Sequence, residues 1–119
     1  MILLACYFFL APPLLMADWS ERSEVRQVQD TLDRAERAVE KVYAMRIGQM
    51  RDADAVFHKI LYVRQWARHL EALPIGQMTA KQVMRRDELA LKLWAREDQF
   101  SARFLELEDI NRSETRKAA

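Results

Sequence analysis

Asp54 and His58 stand four residues apart, the spacing that sets two side chains on one face of a helix. A carboxylate and an imidazole so placed could hold two corners of a metal ion, but a zinc-type site needs three or four protein donors. The other histidine, His69, is eleven residues further on, on the same face but ~16 Å away. Two donors leave an ion half held, and the pair reads as solvated helix residues. The single cysteine, Cys6, allows neither an intramolecular disulfide nor a thiolate cluster. No Gly-x-Ser-x-Gly elbow presents a nucleophilic serine, and no glycine-rich loop is present to cradle a phosphate. The acid pairs Asp87-Glu88, Glu97-Asp98 and Glu108-Asp109 are adjacent in sequence, so on a helix they diverge by ~100° instead of converging on a substrate. All six read as solvated face charges. The expectation is a non-enzymatic protein with no catalytic residue, cofactor or metal.

Arg64-Gln65-Trp66-Ala67-Arg68-His69 and Arg85-Arg86 are the best candidates for nucleic acid, since arginines around an aromatic can grip phosphates and stack on a base. Glu71, Asp87 and Glu88 offset that charge. Across the chain 19 basic residues face 18 acidic ones, for a net charge of +1. No overall field draws the chain to nucleic acid or to an anionic membrane. A weak nucleic-acid accessory role is kept as a second alternative, and it predicts binding that falls steeply with salt.

The elements that carry these residues follow from composition. The chain has 119 residues, 50% of them apolar, with only two glycines and three prolines. One domain of that length, so poor in turn formers, excludes β-sandwiches, small barrels and Rossmann units. Abundant apolar residues and low net charge exclude disorder for most of it. The fold class is all-α.

From Asp18 the pattern is helical, with Glu21 completing a capping-box spacing. Val25, Val28, Leu32, Ala35, Val39 and Val42 then alternate by three and four, a heptad seam. Asp30–Arg34 and Asp33–Arg37 flank it as i,i+4 pairs. After an eleven-residue step the seam resumes as Ala53, Val56, Ile60, Val63, Ala67 and Leu70, which is a stutter of four residues with Gly48 inside it. The first helix is therefore expected over about 19–72, ~80 Å if unbroken, either bending near Gly48 or continuing through it. Leu73-Pro74-Ile75-Gly76 ends it, Gly76 being suited to a left-handed turn. Thr79-Ala80-Lys81-Gln82 restarts a second helix, expected over about 79–111. There Val83, Ala90, Leu93, Phe100, Phe104 and Leu107 hold one heptad frame, Arg86 and Glu97 fill its remaining slots, and Leu89 and Leu105 widen the stripe. Residues 112–119 read as a flexible polar tail.

These helices form an elongated antiparallel hairpin in which the second covers only the nearer half of the first. The Val25–Val42 seam then needs a partner: a fold-back at Gly48, a second copy, or another protein. The candidate partner-binding residues are Val25, Val28, Leu32, Val39, Val42, Trp66 and Trp94. The function this favours is a helical coiled-coil adaptor, scaffold or assembly component, docking another helical protein or a second copy of itself. Ile47-Gly48-Gln49-Met50 and Trp66-Ala67-Arg68 recur 28 residues on as Ile75-Gly76-Gln77-Met78 and Trp94-Ala95-Arg96, either a duplication or chance in similar helices. Met45, Met50, Met78 and Met84 cluster around the stutter and the turn, as an adaptable groove or as gap filling.

Residues 1–17 are an apolar leader: a signal or anchor segment, an upstream extension of a start at Met16, or a packed segment. Only this segment, if retained, would touch a membrane. The compartment follows it, cytoplasmic for a start at Met16 and extracytoplasmic or tethered for a true leader. The first alternative function is accordingly an exported or tethered helical chaperone or stress protein. Met78-Thr79-Ala80-Lys81-Gln82 resembles, at three of five positions, the Leu-Thr-x-x-Gln motif of the Spy and CpxP type of periplasmic helical proteins. The outline of a long heptad hairpin is similar to the stalk proteins of the FliJ and YscO type in bacterial export machines.

Overall fold

The computed structural model describes residues 13–118, all of the regular structure in it helical. The order is α1 (Pro13–Ala44), a single 3-10 turn (Ile47–Gln49), α2 (Ala53–Glu71), a second 3-10 turn (Ile75–Gln77) and α3 (Ala80–Ala118). Most of the apolar leader lies outside the described residues; its end, from Pro13, belongs to α1. Proline suits that first position because it has no N–H to leave unpaired and its φ is already helical. Asp18 and Glu21 consequently sit inside the helix instead of opening it.

The expected long helix over 19–72 is not formed. It breaks at Met45–Asp52 and folds back, so that the chain runs up, down and up. Trp94 faces Glu71, Glu97 faces Arg64 and Phe104 faces Phe57, which makes α3 antiparallel to α2. Gln82 reaches Gln29, Arg85 reaches Asp33, and Arg96 reaches Val42, which makes α3 parallel to α1. The α2–α3 contact is the most extensive, and α1 lies along the groove between them. Val28, Leu32, Ala35, Val39 and Val42 are buried there against α2 and α3, with Val56, Val63, Leu93 and Phe100 in the same core. Burying each large apolar side chain contributes roughly 1.5–3 kcal/mol. Each helical hydrogen bond forgone at the break is worth about 1 kcal/mol net. The fold-back wins. The assembly is still elongated, with a radius of gyration of 22.2 Å against ~13 Å for a compact chain of this length.

The two corners are built alike, so the Ile-Gly-Gln-Met echo has a structural counterpart. Each is a 3-10 turn entered from an extended residue, Arg46 (φ −91°, ψ 99°) or Pro74 (φ −73°, ψ 102°). Each closes with a methionine amide donating to the isoleucine carbonyl, at 3.0 Å for Met50 and 3.1 Å for Met78. Helix restarts differ: the Asp52 carboxylate accepts from the Asp54 amide, while Thr79 and Gln82 exchange the two bonds of a full capping box at 3.1 Å. Gly76 does not use the left-handed region expected of it, since no described glycine has a positive φ. A Cβ at Gly76 would meet nothing within 4 Å. Gly76→Ala is therefore expected to stabilise the fold by about 0.4–1 kcal/mol through the unfolded chain, read as a rise in the urea midpoint at unchanged m-value.

α3, expected to end near 111, continues to Ala118, and the 112–118 stretch expected as a tail is helical and exposed. Glu, Arg, Lys and Ala without Gly or Pro sustain it, and the Thr115 hydroxyl donates back to the Asn111 carbonyl at 2.8 Å.

Candidate interaction surface

Of the seven residues expected to bind a partner, the structure buries four within the chain itself. Val28, Leu32, Val39 and Val42 are 0–7% exposed, so in this arrangement they offer no surface. Val25, one turn before them, is 49% exposed. Trp66 and Trp94 are half-buried at the edge of the core. The Trp94 indole N–H donates to Glu71 at 2.7 Å, and Trp66 meets His69 edge-on at 5.9 Å. The seven do not form one patch.

Arg64, Arg85 and Arg86 are engaged within the fold. Arg64 donates two hydrogen bonds to one carboxylate oxygen of Glu97, at 3.1 Å and 2.9 Å, and Ser101 donates a third to it at 3.0 Å. Glu97, expected to be solvated, is 8% exposed and sits in the heptad seam of α3. Its packing slot decided its fate, not its acidic neighbour. Asp33, expected to pair with Arg37, instead meets Arg85 at 3.0 Å, and Glu36 bonds the same guanidinium. Burial would lower the pKa of Arg85, but the bonds to Glu36 and Asp33 raise it by more, and Arg85 stays cationic. Arg86 pairs with Asp87 at 2.7 Å. Arg68 and His69 remain exposed beside Leu61, Arg64, Gln65 and Ala72, where they line a shallow open depression. Among the described residues no three His, Cys, Asp or Glu side chains converge as a metal site. Among the same residues no helix is long and apolar enough to cross a membrane.

The methionines divide. Met45, Met50 and Met78 pack against the core at the corners, as gap fillers, whereas Met84 is 73% exposed. Met84 belongs to a feature that the heptad reading passed over. Leu91 and Leu105 follow it at spacings of seven and fourteen and are 72% and 63% exposed. Leu105 thus points away from the core instead of widening its stripe. Ala95 and Ala102 lie exposed on the same line, and Glu88, Asp98 and Asp109 fill its other positions. Single exposed leucines are ordinary. Three large apolar side chains in heptad register, on the face of α3 turned away from α1 and α2, make a second seam with no helix on it. The signal was present in the sequence, one heptad frame away from the core. Comparison with protein-family models, curated proteins and solved structures finds no match to this chain.

Proposed function

We propose that this chain is a non-enzymatic helical interaction protein, an adaptor, scaffold or assembly component, whose outer α3 face docks one helix of a different protein. The observation that carries the reading is the exposed register of Met84, Leu91 and Leu105. The interspersed acids choose the partner. Between Met84 and Asp109 the charged positions on this line are Glu88, Asp98 and Asp109, with the bases Lys81, Arg112 and Arg116 only at its ends, so a second copy of the same face packed in register would bring like charges together. A partner helix carrying apolar residues at heptad spacing, flanked by Lys or Arg, satisfies both features.

The test is a photo-crosslinking amino acid placed at Leu91, at Leu105 and, as control, at exposed Arg37 on α1, in the native cells. The expected result is one and the same protein trapped from 91 and 105 and not from 37. Leu91→Lys should then weaken the affinity for that protein, measured with purified components, about tenfold or more, since it removes a leucine that the partner helix covers. An adduct between two copies of this chain, an identical adduct from position 37, or unchanged affinity for Leu91→Lys would each overturn it.

A further inference from the structure

The two corners share a sequence motif but not a lock. Pro74 enters the second turn, and a proline there forbids α2 and α3 from joining into one helix. The matching position in the first turn is Arg46, with the same extended backbone and no such prohibition. Met45–Asp52 holds a single helix-breaking residue, Gly48. The seams on either side are also in phase for a continuous helix. Val42 and Ala53 are eleven residues apart, three helical turns, so straightening the corner would align both stripes on one face.

What holds the corner bent is a pair of arginines from α3. Arg96 donates to the carbonyl of Val42 at 3.0 Å and to that of Met45 at 2.5 Å, its guanidinium lying over the Tyr43 and Phe100 rings. Arg103 donates to the carbonyl of Met50 at 3.0 Å and to that of Gly48 at 3.4 Å. These are the carbonyls that a helix running through the corner would satisfy by itself. The arginines therefore stabilise the bent state alone.

We propose that the first corner is a hinge through which two copies of this chain exchange α1. With both hinges straight, two long α1–α2 helices lie antiparallel, and each α1 enters the α2–α3 groove of the other copy. That groove already fits it, because α1 fills it within one chain, and every direction is kept: antiparallel to α2, parallel to α3. Exchange of an identical element needs no new contact surface. The proposal uses the groove, not the outer face of α3, and stands independently of the partner reading above.

The experiment uses the full chain, with Cys6→Ser and spin labels on cysteines at exposed Arg34 and Arg68. Within a bent chain α1 and α2 run antiparallel with Lys41 opposite Tyr62, which sets Arg34 two turns further along beside Arg68, and the labels are near neighbours. In a straightened chain they are ~50 Å apart. Labelled chains are diluted into excess unlabelled chain, so that only distances within one chain are read, and dimer is separated from monomer by size with light scattering. The expected result is a dimer carrying the long distance and a monomer carrying the short one. Arg96→Ala with Arg103→Ala should raise the association constant about tenfold or more, since it removes charge-assisted bonds from the bent state only. Arg46→Pro, which copies the second corner, should abolish the dimer at unchanged helicity. A dimer that keeps the short distance overturns the proposal, as does an arginine-free variant that remains monomeric at every concentration.

Discussion

Phe100→Ala will lower the stability of the chain by about 3–5 kcal/mol, a loss comparable to the whole stability of many domains of this size. Among the described residues Phe100 is the largest side chain wholly removed from solvent, on the stretch of α3 that contacts both other helices. On one side the core residues of α1 and α2 close over it. On another the Arg96 guanidinium lies 5.3 Å from its ring centre while bonding the end of α1. Removing the ring opens a cavity and also takes away the surface on which that arginine rests. The measurement is a urea titration followed by circular dichroism, with Phe104→Ala as the comparison. Phe104 is only partly buried and stacks at 5.9 Å on the exposed Phe57, so its truncation should cost less than half as much. Equal losses would place the centre of the core elsewhere.

The features readable from sequence were those whose causes are local. Pro74 ended α2 and the Thr79–Gln82 box opened α3, because each acts on residues within one helical turn. The heptad spacing likewise named nearly every buried apolar residue of all three helices, with Leu89 beside the frame as a widening of its stripe. Spacing states which face is apolar. It does not state what covers that face. A stripe with a phase-preserving step of eleven fits one long helix and two folded helices equally well; the choice comes from burying the α1 stripe and from Arg96 and Arg103, which act from 51 to 55 residues away. The fate of Glu97 was hidden for the same reason, its partner Arg64 being 33 residues distant. The outer seam of α3 is a second heptad frame, through Met84, Leu91 and Leu105, and spacing alone does not say which of two apolar frames the core covers.

The second large effect concerns that hidden pair. Arg64→Leu is expected to destabilise the chain by about 3 kcal/mol, the cost of leaving a buried carboxylate without its cation. Glu97 would keep only the Ser101 hydroxyl, from within its own helix. The reverse deletion should behave differently, because the partners are not equally buried: the Arg64 side chain is 44% exposed and that of Glu97 11%. In Glu97→Leu the guanidinium can turn to water, while leucine completes the apolar heptad between Leu93 and Phe100. That variant should be at least as stable as the parent. Arg64→Leu combined with Glu97→Leu should then recover most of the loss, and the four urea midpoints form a double-mutant cycle with strong coupling. The asymmetry is the informative part. If Glu97→Leu proved as damaging as Arg64→Leu, the ion pair would be a net source of stability, and the view of it as a tolerated polar element in an apolar seam would fail. If Arg64→Leu proved harmless, Glu97 would have found water, and the α2–α3 contact would be looser at that turn than its geometry implies.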